Sequence, residues 1–229
     1  MTATTIASKR PRPIRVSIVE DEAFMRSMLV RTVDEAEDLR VVHAVDSVSA
    51  ARLAISAHST DVALLDVNLG DGNGVALGLE LQRRDPRIAV MLLSSLDVMG
   101  LFLSVQDETS EPWSYLSKRS SFTSSVLVGA IAAAADGDVV IDPSLVQRST
   151  PRAGTEVAGL TKAQFEVLRL VAEGLSNEAV AGRLHISERS VESHLLSIYR
   201  RLGIEKAGTN RRVHAVLAFL EQTGRSWRR

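Results

Sequence analysis

The chain has 229 residues, which at ~100–200 residues per domain means one large domain or two small ones. It is 45% apolar and 24% charged, close to the globular average, so neither disorder nor a fibrous repeat describes the bulk. With no cysteine, disulfides, thiol catalysis and cysteine-ligated zinc are all excluded. The net charge of −1 conceals a division: residues 1–150 carry 14 Lys and Arg against 20 Asp and Glu, a balance of −6, and residues 158–229 carry 12 against 7, a balance of +5. An acidic half joined to a basic half points to two jobs, the second involving a polyanion.

Residues 1–13 lack the apolar core of a secretory signal and read as a disordered basic tail. The longest apolar stretch, Val126 to Ala135, falls far short of the ~18–20 residues needed to cross a bilayer. Both features point to a cytoplasmic protein with no membrane partner. Five short apolar runs follow the tail: Ile14–Val19, Val41–Val45, Val62–Val67, Ile88–Leu93 and Ser114–Leu116. Most lack polar alternation, as strands buried on both faces do. Helical spacing lies between them, at Met25, Met28, Leu29, Thr32 and Val33, at Ala51, Leu53, Ala54 and Ala57, over Gly74–Arg84 and over Phe122–Ala135. The segment from Asp97 to Pro112 is a weaker helical pattern. Alternating strand and helix predicts an α/β domain over 14–138, with a five-stranded parallel sheet in the flavodoxin-like order 2-1-3-4-5. Residues 139–157, with Pro143 and Pro151, read as a closing strap followed by a linker.

In an open parallel sheet, chemistry collects beyond the carboxyl ends of the strands. Those ends carry Glu20, Asp21 and Glu22 after the first strand, Asp66 on the third, Ser94 and Ser95 on the fourth and Lys118 on the fifth. The sheet order brings Asp21 and Asp66 together at the switch point. Crowded carboxylates call for a divalent cation, and oxygen donors without His or Cys favour Mg²⁺ or Mn²⁺. A lysine and a hydroxyl facing the same point suit a phosphoryl group.

The strings VSIVEDE, LLDVNLGDGNG, VMLLSSLD and SYLSK resemble the receiver domain of two-component response regulators. The resemblance implies that Asp66 accepts a phosphoryl group from a histidine kinase. It makes Asp21 a direct metal ligand, Glu20 a ligand through water and Asn68 a ligand through its backbone carbonyl. Ser94 would hydrogen-bond the phosphoryl oxygens, Lys118 would pair with them, and Tyr115 would be the aromatic that changes rotamer. Three departures stand out: Gly70 where the family usually has proline, Ser95 where it usually has alanine, and Glu111-Pro112-Trp113 in place of Gly-Ala-x-Gly. They motivate an alternative in which the receiver is a phosphorylation-independent dimerisation or ligand-sensing module. An aspartyl phosphohydrolase is a further alternative, but such enzymes place a second Asp where this chain has Asn68.

From Leu160 the pattern is purely helical. Thr161 and Gln164 form a capping box, Asn177–Leu184 is a short helix, and His185-Ile186 make a tight turn. Ser187 then caps a third helix that runs to about Leu202. At 100° per residue Val191, Leu195, Ile198 and Leu202 face inward. Arg189, Glu192, Ser193, Leu196 and Arg200 face outward, with side chains suited to phosphates and base edges. Residues 160–204 resemble the LuxR-type helix-turn-helix of the NarL/FixJ subfamily over their whole length. The resemblance implies an all-α, four-helix domain over 158–224 that binds double-stranded DNA. By position, Glu192, Ser193 and Leu196 would read bases, with Arg189, Ser190, Arg200, Arg201 and Lys206 as phosphate candidates. Asn210–Gln222 resembles that family's dimerisation helix. The whole therefore reads as a non-enzymatic, homodimeric, DNA-binding response regulator whose partners are DNA, a histidine kinase, a second copy of itself and RNA polymerase.

Overall fold

The computed structural model describes residues 12–95, 109, 113–121, 123–147, 149–204 and 210–223. The first 11 residues, most of the expected helical pattern between Asp97 and Pro112, Lys206 and the last six residues lie outside that set.

Strands β1 (Ile14–Val19), β2 (Leu39–Val45), β3 (Val62–Asp66), β6 (Ala89–Ser94) and β7 (Ser114–Ser117) form one parallel sheet in the order β2-β1-β3-β6-β7. This is the order expected from the sequence, since β4 (Asn68–Leu69) and β5 (Gly72–Asn73) are a two-stranded ribbon inside the loop after β3. Side chains alternate across the sheet. Val62 and Leu64 join α1 (Ala23–Asp34) and α5 (Ser124–Ala135) in one core. Ala63 and Leu65 join α2 (Val48–Ala54) and α3 (Gly74–Arg84) in the other. β3 is buried at all five positions, which is why it reads as an unbroken apolar run.

In α2 the inward residues are Val48 and Ala51, followed by Ile55 just past the helix, whereas Leu53 is 89% exposed. A seven-residue helix has two turns, and its packing face is set by what the sheet offers rather than by the largest side chain. Its first backbone N–H groups, on Val48 and Ser49, are received by the Asp71 carboxylate at 2.8 and 2.9 Å. This cap fastens the β4–β5 ribbon to α2.

The basic half holds α7 (Lys162–Ala172), α8 (Asn177–Leu184), α9 (Glu188–Arg201) and α10 (Arg211–Gln222), preceded by a 3₁₀ turn at Val157–Gly159. The Thr161/Gln164 capping box forms as the sequence predicts. His185 ends α8 at φ 54°, turning the chain into the Ser187 cap of α9. Val191, Leu195 and Ile198 point inward, joined by Tyr199, which the angular reading did not place there. Within the acidic half α4 (Lys118–Ser121) directly follows β7 and precedes α5, and α6 (Pro143–Gln147) lies between the two halves.

One glycine makes the close approach of α3 to β3 possible. A Cβ on Gly74 would collide with the Asp66 carbonyl oxygen. Gly74→Ala is expected to cost about 1–3 kcal/mol of stability through forced displacement of that backbone, read as a lowered urea midpoint with an unchanged m-value.

Candidate functional site

The carboxyl ends of β1, β3 and β7 converge because their registers place Val19 beside Leu65, Asp66 beside Leu93 and Ser94 beside Ser117. At that edge the Lys118 ammonium donates to Glu20 Oε1 at 2.7 Å and to Asp66 Oδ2 at 2.8 Å. The other Asp66 oxygen accepts from the Asn68 N–H at 3.1 Å. Asp21 is exposed, and its Oδ2 accepts from the Gly70 N–H at 3.1 Å. A proline at position 70 would offer no such donor. Glu20, Asp21 and Asp66 each offer a carboxylate oxygen within 4.8 Å of the other two.

The electrostatics follow from burial. Glu20 is fully buried, which pushes its carboxyl pKa up against the opposing pull of the Lys118 hydrogen bond. Burial also works to lower the pKa of Lys118, but the hydrogen bonds to Asp66 and Glu20 prevail and it is raised. Among the described residues Glu20 Oε2 is buried with no hydrogen-bond partner, an arrangement proteins rarely leave unsatisfied. Glu20 and Asp66 therefore share one ammonium, with the Asp21 carboxylate close by and one buried Glu20 oxygen unsatisfied among the described residues.

Ser94 is fully buried at the end of β6, and Ser95 next to it is exposed. Tyr115 is 1% exposed and packs in the core on the α2–α3 side of the sheet. Asn68 is exposed on the ribbon. Arg26, which the sequence did not single out, donates to the Glu20 carbonyl at 2.6 Å and so braces the acidic turn. An arginine one turn into a helix carries no sequence signal for that role.

On α9 the residues Arg189, Glu192, Ser193, Arg200 and Arg201 are exposed, and Leu196 is 48% exposed. An open leucine among arginines and a serine is an unusual surface, and it lies on the face opposite Val191, Leu195 and Ile198. Ser190 is half-buried, with its N–H and hydroxyl both engaged by the Ser187 hydroxyl at the helix start. Arg201 lies across Gly159, where a Cβ would collide with its guanidinium. Lys206 lies outside the described residues.

The sign of the pH response follows from Glu20. Its raised pKa means that the folded protein binds more protons than the unfolded chain between the two values. Cation-free protein is therefore expected to lose stability as pH rises through that interval above the ordinary glutamate value. In Glu20→Gln that slope should be smaller; calorimetric melts at several pH values measure it.

Comparison with known proteins agrees with both halves. The family model described as "Response regulator receiver domain" matches residues 16–124, and "Bacterial regulatory proteins, luxR family" matches residues 158–217. The nitrate/nitrite response regulator protein NarP of Escherichia coli is 31% identical, over 93% of this chain and 97% of its own. The DNA-binding transcriptional activator DevR/DosR of Mycobacterium tuberculosis is 28% identical, over 84% of this chain and 90% of its own. A structure of the Salmonella typhimurium RcsB response regulator shares the fold at a TM-score of 0.52 and 21% identity, covering 92% of this chain and 99% of that one. Among the described residues no helix is long and apolar enough to cross a membrane. A receiver joined to a LuxR-type DNA-binding domain, along nearly the full length of relatives built the same way, makes this chain a member of the NarL/NarP-type response regulators of two-component systems.

Proposed function

We propose that Asp66 accepts a phosphoryl group from a histidine kinase and that the modified chain controls transcription through α9. The observation that carries the reading is the Lys118 ammonium on Asp66 Oδ2 beside a Glu20 oxygen that has no partner among the described residues. Carboxylate is a poor nucleophile toward phosphorus unless the charge growing on the transferred group is neutralised. Lys118 supplies one positive charge. Glu20, Asp21, Asp66 and the Asn68 carbonyl would hold Mg²⁺ or Mn²⁺, with Glu20 acting through water; the bound ion would supply the remaining neutralisation. An Asp66 oxygen attacks phosphorus as the phosphorus–nitrogen bond to the donor histidine breaks. Ser94 and Lys118 then hold the new phosphoryl oxygens, and Tyr115 follows by a change of rotamer. The chain is a regulator rather than an enzyme, and its relatives NarP and DevR/DosR are named as regulators of this kind.

In the DNA-binding half, Glu192, Ser193 and Leu196 read base edges, while Arg189, Ser190, Arg200, Arg201 and Lys206 take phosphates. Support comes from the exposure of the described members of this set, all open except Ser190. Two copies of the chain place paired α9 helices on half-sites about one DNA turn apart. Phosphorylation then acts by raising the effective concentration of the second module. Cytoplasmic location and contact with RNA polymerase belong to the same reading.

Incubation with acetyl phosphate and Mg²⁺ is expected to add one phosphoryl mass to the wild-type chain and none to Asp66→Asn. No gain in the wild type would move the reading to a phosphorylation-independent regulator. For the DNA, Ser193→Ala and Leu196→Ala should relax sequence preference, by about 1–3 kcal/mol per lost base contact. Arg200→Ala should instead weaken all sequences alike and reduce the salt slope by about 1. Equal losses on specific and random duplexes from all three variants would refute the base-reading assignment.

A further inference from the structure

Residues Val139–Asp142 bridge the two halves, and their contacts reach the acceptor pocket. Val139 and Ile141 enter the core on the α2–α3 side of the sheet, and Val140 enters the other. This is the alternation of a strand. Tyr115 pairs with Ile141 in a parallel bridge, its N–H donates to the Val140 carbonyl at 2.8 Å, and the Val140 N–H donates to Ser114 Oγ at 3.0 Å. The strap thus extends the sheet along the free edge of β7.

At its far end sits Asp142, a fully buried carboxylate. It accepts from the Ser117 N–H at 2.7 Å and from the Ser144 N–H at 2.8 Å, and the Ser144 hydroxyl donates to it as well. Burial works to raise its pKa, but the hydrogen bonds from Ser117, Ser144 and Ser120 hold it below the ordinary aspartate value. Ser117 immediately precedes Lys118. An anion from beyond residue 124, where the receiver match ends, therefore fixes the peptide that aims the pocket's ammonium.

The strap's other contacts belong to the DNA-binding half. The Ile141 N–H donates to the Ala172 carbonyl at the end of α7 at 2.9 Å. Gly174, at φ 84°, lets the turn after α7 close over Val140, whose methyl would lie 2.8 Å from a Cβ there. Beside it Asn210 donates to the Gly137 carbonyl at 3.1 Å, and Arg212 faces Asp138 at 3.4 Å and Asn177 at 3.2 Å.

We propose that Asp142 is a positioning residue for Lys118, so that the Val139–Asp142 strap couples phosphoryl transfer at Asp66 to the seating of the DNA-binding domain on the receiver. This rests on the reading of Asp66 as phosphoacceptor. When Lys118 follows the phosphoryl oxygens, Ser117 moves with it and the strap's pairing to β7 loosens. By linkage, a loosened strap aims Lys118 less well.

The test uses the full chain, acetyl phosphate with Mg²⁺, intact mass for transfer and amide exchange by NMR for the strap. In wild type, phosphorylation should speed exchange of the Tyr115 and Ile141 amides by about tenfold or more, as local opening does. Asp142→Asn should show fast exchange before phosphorylation and transfer slowed about tenfold at saturating Mg²⁺, a scale typical of a misaimed group. Its Mg²⁺ half-saturation should stay within about twofold of wild type, because the described hydrogen bonds of Glu20, Asp21 and Asp66 go to other residues than the strap's; a general collapse of the pocket would move both. Ser114→Ala removes only the acceptor of the Val140 N–H and decides the matter even where Asp142→Asn fails to fold: transfer should slow as the strap loosens. A wild type that gains phosphoryl mass beside variants with loosened straps and wild-type transfer would overturn the coupling and leave the phosphoacceptor standing. A wild type that gains none would sink both together.

Discussion

The acidic edge of the receiver is organised by one buried interaction, the Lys118 ammonium held between Glu20 and Asp66. Such a contact takes charges out of water, and mutual attraction offsets that cost only when the geometry is good and the remaining lone pairs are satisfied. Here the geometry is good and the satisfaction is incomplete, since among the described residues Glu20 Oε2 has no partner. Three parallel strands, fixed in register, bring the three side chains to one edge. The same constraint explains the crowding behind them: α3 must begin against the Asp66 carbonyl, and only a glycine at position 74 permits it.

Asp21 differs from its neighbours in being exposed, and its steadying contact is the Gly70 N–H. The glycine that departs from the family's usual proline thereby offers a hydrogen bond that the proline cannot. The departure looks from the sequence like a weakening of the site. In the structure it is a different way of holding the same carboxylate, with the ribbon that carries Gly70 anchored to α2 through Asp71.

The strands were legible because burial on both faces leaves continuous apolar runs, and Ile14–Val19 matches its predicted limits. Helix ends were legible where a cap has local chemistry, as at Thr161 with Gln164 or Ser187 before α9. Helix faces were less so: Leu53 and Tyr199 were misplaced or missed because the packing partner, not the side chain, decides which way a position turns. The convergence of Glu20, Asp66 and Lys118 could be read because sheet order alone brings strand ends together. The Asp142 contact could not. An aspartate before a proline is an ordinary turn signal, which its bonds from Ser144 satisfy, and nothing local announces the Ser117 backbone N–H twenty-five residues earlier.

The arrangement of the two halves bears on how regulation can work. The contacts from the receiver side reach the end of α7, the turn after it and the start of α10, while the outward side chains of α9 stay open to solvent. Among the described residues, the outward side chains of α9 proposed to read DNA are open. On the proposed function, uncovering α9 is then not what the switch has to accomplish. In the proposed dimer, what remains for it to change is where one DNA-binding module sits relative to another, which would govern whether two half-sites can be engaged at once. A strap that pairs with β7 on one side and α7 on the other belongs to the packing of both halves, so under the proposed coupling a small movement at the Asp66 edge would become a change in that placement.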